Sequence, residues 1–153
     1  MIPIAPNEGH TGRAAWMRIL SLADWRDLEQ LAAHYAATPH VMLRPPEAGL
    51  VMLRGRMGST GAAFNLGEAT ATRCAVRLAD GAEGHAYVMG RNAAHAKLAA
   101  VLDALLQTAE RGQEVRERVI DPLAHRLTQS NVAAAAKAAA TKVDFFTMVR
   151  GDV

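Results

Sequence analysis

Arginine is the residue type in this sequence best placed to do chemistry. Arg54 and Arg56 fall in one strand-patterned segment, 49–57, and Arg73 and Arg77 in another, 69–79. Guanidinium groups bind phosphate or carboxylate through two parallel hydrogen bonds. If the two segments are neighbours in a suitable register, all four arginines share one sheet face. An acidic partner or a polyphosphate ligand would then relieve their repulsion. The competing reading is a solvated outer face, because an antiparallel sheet can keep one side wet and charge there costs little. The distribution of charge singles out the same region. The formal net charge is only +2, from 17 basic and 15 acidic residues. The whole excess lies in 54–97, where Arg54, Arg56, Arg73, Arg77, Arg91 and Lys97 meet only Glu68, Asp80 and Glu83.

Between the two segments runs a glycine-rich loop, Gly58-Ser59-Thr60-Gly61. Backbone N–H groups in such a loop can cradle an anion. The P-loop spacing is absent, since no lysine follows, and neither G-x-G-x-x-G nor G-x-S-x-G occurs. A tight connection that needs positive φ is the plainer reading; contact with a ligand or partner is the sharper one. The six histidines are scattered with no metal-ligand spacing, so no metal site is expected. Cys74, the one cysteine, cannot form an intramolecular disulfide. It falls on the face of Thr72, Val76 and Leu78 and reads as a buried, unactivated thiol. No catalytic residue is expected.

The C-terminal segment has a different character. Val143, Phe145, Phe146, Met148 and Val149 are too apolar for an exposed chain end, and ends fray unless tied down. Such a tail either packs across its own domain or docks on another subunit. Asp144, Phe145, Phe146, Met148 and Arg150 are its candidate interface residues, aromatics and methionine being enriched in interfaces.

The elements that must position these groups follow from periodicity and punctuation. Residues 1–10, with Pro3, Pro6 and Gly9, read as a flexible leader. Residues 11–153 read as a single α+β domain whose tail, about 143–153, serves docking. A short helix starts near Gly12 with Trp16, Ile19 and Leu20 on one stripe. Asp24 is the N-cap of a second helix over 25–37, ended by Pro39. Strands are expected at 40–44, 49–57, 62–66, 69–79 and 84–90, with Pro45-Pro46 separating the first two. Along 49–57, Val51, Leu53 and Met57 take one face and Leu50, Met52, Arg54 and Arg56 the other. Asp80-Gly81 marks a hairpin turn. Asn92 caps a helix over 93–109, and further helices are expected over about 113–128, perturbed by Pro122, and over 132–142, capped by Asn131. The order of helices, strands and helices suggests an α+β fold, an antiparallel sheet of about four to five strands with N-terminal and C-terminal helices packed on it.

Composition removes several functions. No stretch approaches the roughly 18 apolar residues of a membrane span, and MIPIAPNEGH lacks the pattern of a signal peptide. With one cysteine, a cytoplasmic location is expected. Aromatic residues make up 5% of the chain, few for stacking on bases, so no nucleic-acid partner is expected.

Three stretches carry a resemblance. They are Glu47-Ala-Gly-Leu-Val51 running into Arg54-Gly-Arg-Met-Gly-Ser-Thr-Gly61; Gly67-Glu-Ala-Thr-Ala-Thr-Arg73 through Val76-Arg-Leu-Ala-Asp-Gly81 and Gly90-Arg91; and Val143-Asp-Phe-Phe-Thr-Met-Val-Arg-Gly-Asp152. The chain resembles the G subunit of the bacterial carbon–phosphorus lyase core complex, over its middle and C-terminal end. The resemblance implies an accessory, non-catalytic subunit in phosphonate catabolism. It would support replacement of the adenine of ATP by a phosphonate, giving a ribose 1-phosphonate 5-triphosphate. The chain itself would bind no cofactor, while the complex uses ATP as substrate. The implied partners are the I subunit above all, with H and J; a homodimer of the isolated chain stays open. On this reading Arg54, Arg56, Arg73, Arg77 and Arg91 meet an acidic partner surface or substrate phosphates. The alternative is a stand-alone nucleotide- or anion-binding module using the arginine-rich face and the Gly58–Gly61 loop.

Overall fold

Pro45 and Pro46 do not divide two strands: both lie inside one long strand, β1 (His40–Arg56). The computed structural model describes residues 12–57 and 60–141. β1 is an edge of a three-stranded antiparallel sheet ordered β1-β2-β3, with β2 at Ala63–Leu78 and β3 at Glu83–Met89. Proline lacks an N–H to donate, and an edge strand can spare one on its outer side. The ladder also shifts register between Arg44 and Glu47, around the two prolines. The segments expected as separate strands at 62–66 and 69–79 merge likewise. Gly67, at φ 153°, carries β2 through the last of three register shifts, where Leu66 is the extra residue opposite Leu53 and Arg54. The four to five strands expected are therefore three among the described residues, because the breakers fall at an edge and a bulge. The Asp80-Gly81 hairpin forms as expected. Gly81 adopts φ 90°, its N–H donates to the Leu78 carbonyl at 3.0 Å, and the Asp80 carboxylate accepts from Ala82 N–H at 2.9 Å.

Among the described residues five α-helices lie on one side of the sheet: α1 (Arg13–Leu22), α2 (Trp25–Ala32), α3 (Ala93–Leu106), α4 (Gly112–Val115) and α5 (Asp121–Ala140). Two of the three predicted caps are made. Asp24 Oδ1 accepts from Arg26 N–H at 2.8 Å, and Asn92 Oδ1 from His95 N–H at 3.0 Å. The second helix is α-helical only to Ala32 and tightens into a 3₁₀ turn over Ala33–Ala37. Past α4 a π turn, Arg116–Ile120, leads directly into α5, whose first turn holds Pro122. Asn131 is not a cap, since α5 runs through it.

α3 is apolar nearly all round and buried from His95 to Leu106 apart from half-buried Lys97, as a central helix must be. It covers the sheet face formed by Thr72, Cys74, Val76, Ala86 and Val88, and Trp16, Leu20, Leu28, Tyr35, Val115, Val119 and Leu123 close the core around it. Its alanines allow a close approach to the sheet at Gly84, where a Cβ would stand 1.9 Å from the Ala100 carbonyl oxygen. One charge lies inside: Asp103 is fully buried on α3. Its carboxylate accepts from Arg13 Nη2 at 2.6 Å, Arg13 Nε at 3.2 Å, Trp16 Nε1 at 2.8 Å and the His85 backbone N–H at 2.8 Å. This carboxylate ties α1 and the outer edge of β3 to α3.

The leader expected at 1–10 and the docking tail expected at about 143–153 lie outside the described residues, so Asp144, Phe145, Phe146, Met148 and Arg150 do as well.

Candidate docking surface

β3 pairs with β2 only from Ala71 to Arg77. Beyond that point β1 is the sole strand neighbour of β2, and residues 63–68 are exposed throughout. The outer part of the two strands is thus a ribbon with no helix over it among the described residues. Beside exposed Asn65 and Glu68 it shows large apolar side chains to solvent. Leu50 is 64% exposed, Met52 53%, Leu66 61% and Phe64 43%.

Register assigns the faces. Cross-strand partners share a face, and Glu47 pairs with Arg73, Val51 with Ala69 and Leu53 with Gly67. Past the bulge Gly55 pairs with Phe64. A Cβ on Gly55 would meet Phe64 at 3.7 Å and Leu66 at 3.8 Å, so Leu53, Phe64 and Leu66 belong together. Leu50, Met52, Arg54 and Arg56 take the opposite face, as expected from alternation.

The same register corrects the shared arginine face. Arg73 and Arg77 lie at odd positions of β2, on the side of Glu47. Arg54 and Arg56 lie at even positions of β1, on the side that continues from Cys74 and Val76. The four arginines therefore divide into two pairs. The pairs also differ in electrostatics. Arg73 reaches Glu47 at 3.2 Å, and Arg77 reaches Glu83 at 2.6 Å. The Tyr87 hydroxyl first, then the Glu47 carboxylate, push the Arg73 pKa above its ordinary value. Arg54 and Arg56 make no ion pair among the described residues. Arg91 is exposed in the turn between β3 and α3, a turn anchored by Thr72 Oγ1 donating to the Gly90 carbonyl at 2.7 Å.

Of the glycine-rich loop, Gly58 and Ser59 lie outside the described residues, and Thr60 is exposed. Gly61 does not have positive φ. Glycine is required there by close approach, since a Cβ would lie 2.2 Å from the Met57 carbonyl oxygen. That carbonyl contact and the 3.5 Å hydrogen bond from Arg56 Nη1 to the Gly61 carbonyl describe a tight connection.

Cys74 is buried, donates weakly to the Arg44 carbonyl at 3.5 Å, and burial pushes its thiol pKa up, as an unactivated thiol requires. No group of three or more His, Cys, Asp or Glu side chains suited to a metal occurs among the described residues. A groove of about 550 Å³ opens between Asp24, Trp25, Asn92, His95, Leu123 and Arg126, and none of the five predicted arginines lines it. His95, buried on its wall, shares a hydrogen bond with the Leu20 carbonyl at 2.8 Å. Burial holds its pKa below the ordinary 6.5, against the upward pull of that carbonyl and of Asp24. The unfolded chain therefore takes up this proton first on acidification, and stability falls as pH drops from about 6.5 toward the lower folded-state pKa. The melting temperature is expected to decline between about pH 7 and pH 5, and His95→Gln is expected to flatten that decline. An unchanged slope in the variant would assign the acid sensitivity elsewhere.

Fold and surface together define a small α+β domain whose two-stranded ribbon exposes apolar side chains on both faces. No helix among the described residues is long and apolar enough to cross a membrane. Residues 11–151 match the family described as "Phosphonate metabolism protein PhnG". The chain is also 43% identical over 145 residues to "Alpha-D-ribose 1-methylphosphonate 5-triphosphate synthase subunit PhnG" of Rhizobium meliloti (strain 1021), an overlap of 94% of this chain and 92% of that protein. The chain belongs to the PhnG family of phosphonate metabolism proteins, as its central and C-terminal motifs suggested.

Proposed function

We propose that this chain is the accessory subunit of a carbon–phosphorus lyase core complex, a non-catalytic member of the assembly that makes a ribose 1-phosphonate 5-triphosphate from ATP and a phosphonate. The observation that carries this reading is the near end-to-end similarity to a protein named as a synthase subunit. The apolar ribbon supports it, because a surface of this kind suits a chain held by partners. The I subunit is the first partner, H and J the others, and Phe145, Phe146 and Met148 of the tail add a second anchor. ATP is bound by the assembly and not by this chain alone.

Co-expression with a tagged I subunit tests the proposal. Stoichiometric co-purification is expected, together with silence in calorimetry of the isolated chain against ATP. A well-behaved monomer with no affinity for the I subunit would sink the reading. Micromolar ATP binding by the isolated chain would favour a stand-alone nucleotide module instead. Division of the arginines between two faces counts against that alternative, which needs them together.

A further inference from the structure

The outer ribbon presents two unlike faces, and each exposes large apolar side chains. One carries Leu53, Phe64 and Leu66 with no charged side chain among them. The other runs from Leu50 and Met52 to Arg54 and Arg56, with Glu68 opposite Met52. A chain laying one face on a partner would keep its second face polar, as antiparallel sheets with one wet side do. A two-stranded ribbon is also marginal in water without a layer packed on it. Charge then identifies what lies opposite. Arg44, Arg73 and Arg77, nearer the core, all have carboxylates of this chain within 4 Å, at Glu47 or Glu83. Arg54 and Arg56 have none within 4 Å among the described residues, Glu68 on the same face making no ion pair with them, so burying both cations against a partner calls for carboxylates from that partner.

We infer that the outer β1–β2 ribbon inserts into a cleft of a partner protein with two different walls: an apolar wall against Leu53, Phe64 and Leu66, and a wall of apolar residues and carboxylates against Leu50, Met52, Arg54 and Arg56. The inference rests on the subunit reading above and adds where and how the partner grips. Two variants separate the walls. Leu53→Ser with Leu66→Ser alters the first, and Arg54→Glu with Arg56→Glu alters the second. All four side chains lie outside the core, so the melting temperature of the isolated chain serves as the folding control.

The experiment is hydrogen exchange on the full-length chain, alone and in the co-expressed core assembly, with retention of each variant on a tagged partner. The expected result is at least tenfold slower exchange at 49–56 and 63–69 in the assembly, and at least tenfold weaker retention of both variants. If the wild-type chain assembles while ribbon amides exchange as in the isolated chain, the insertion is wrong and the subunit reading stands. If only one variant loses retention, the ribbon lies on a surface and the two-walled cleft is wrong. If the wild-type chain joins no assembly, both readings fall. Flotation of the isolated chain with anionic vesicles, without protection by the partner, would assign the ribbon to a lipid surface and overturn the inference.

Discussion

Asp103→Ala is expected to cost about 3–5 kcal/mol of folding stability, the range for breaking a buried charge pair. The carboxylate is fully buried and receives four hydrogen bonds from three residues. Arg13 is 41% exposed along its side chain, so water can recover its charge when the partner is lost. Trp16 Nε1, whose bond is buried, has no such recourse, whereas the His85 N–H lies at the part-buried edge of β3. A buried donor left without an acceptor costs about 1–3 kcal/mol, so Trp16 Nε1 carries the largest single share of the loss. The effect should be read by urea denaturation at neutral pH. Trp16→Phe, which removes one donor and keeps the ring, should lose much less. A midpoint for Asp103→Ala equal to that of the wild type would mean that the buried carboxylate contributes nothing net.

Gly84→Ala is expected to cost about 3 kcal/mol, the upper end for overpacking a core. The added methyl would stand 1.9 Å from the Ala100 carbonyl oxygen, 2.6 Å from the Ala104 nitrogen and 2.9 Å from the Ala104 Cβ. Two of these are backbone atoms of α3, which cannot rotate aside, so the helix and the sheet must separate. Gly49→Ala supplies the comparison: it is also in a strand, has no positive φ, and its Cβ would meet nothing within 4 Å. Its unfolding midpoint should stay within experimental scatter of the wild type. Equal midpoints for the two variants would remove steric contact as the reason for glycine at position 84.

What could be read from the sequence depended on how far apart the interacting residues lie. Asp24 and Asn92 were legible as caps because each acts on a backbone N–H two or three residues away. The Asp80-Gly81 turn was legible for the same reason. Pro45-Pro46 misled because proline looks alike at a strand end and inside an edge strand, and the edge is a property of the whole sheet. Alternation placed Arg54 and Arg56 correctly relative to Leu50 and Met52. Their relation to Arg73 and Arg77 needed the β1–β2 register, which no local pattern contains. Asp103 did leave a signal: a single carboxylate inside Val101-Leu-Asp-Ala-Leu105 demands a partner. The partners, Arg13 and Trp16, stand 90 and 87 residues away, beyond the reach of helical spacing.

The π turn at Arg116–Ile120 carries α4 into α5 without a break, and α5 then outruns the body of the protein. Only Leu123 is buried on it, and residues 128–140 are exposed on every side. That stretch draws its order from alanine's intrinsic preference and little else. Isolated helices of such length are marginal in water, so this half should melt as a peptide does, gradually and ahead of the cooperative transition. Ellipticity at 222 nm would then slope on warming while the tryptophan signal from buried Trp16 stays flat. The protein carries within one polypeptide a segment that follows helix–coil statistics and a core that unfolds all at once.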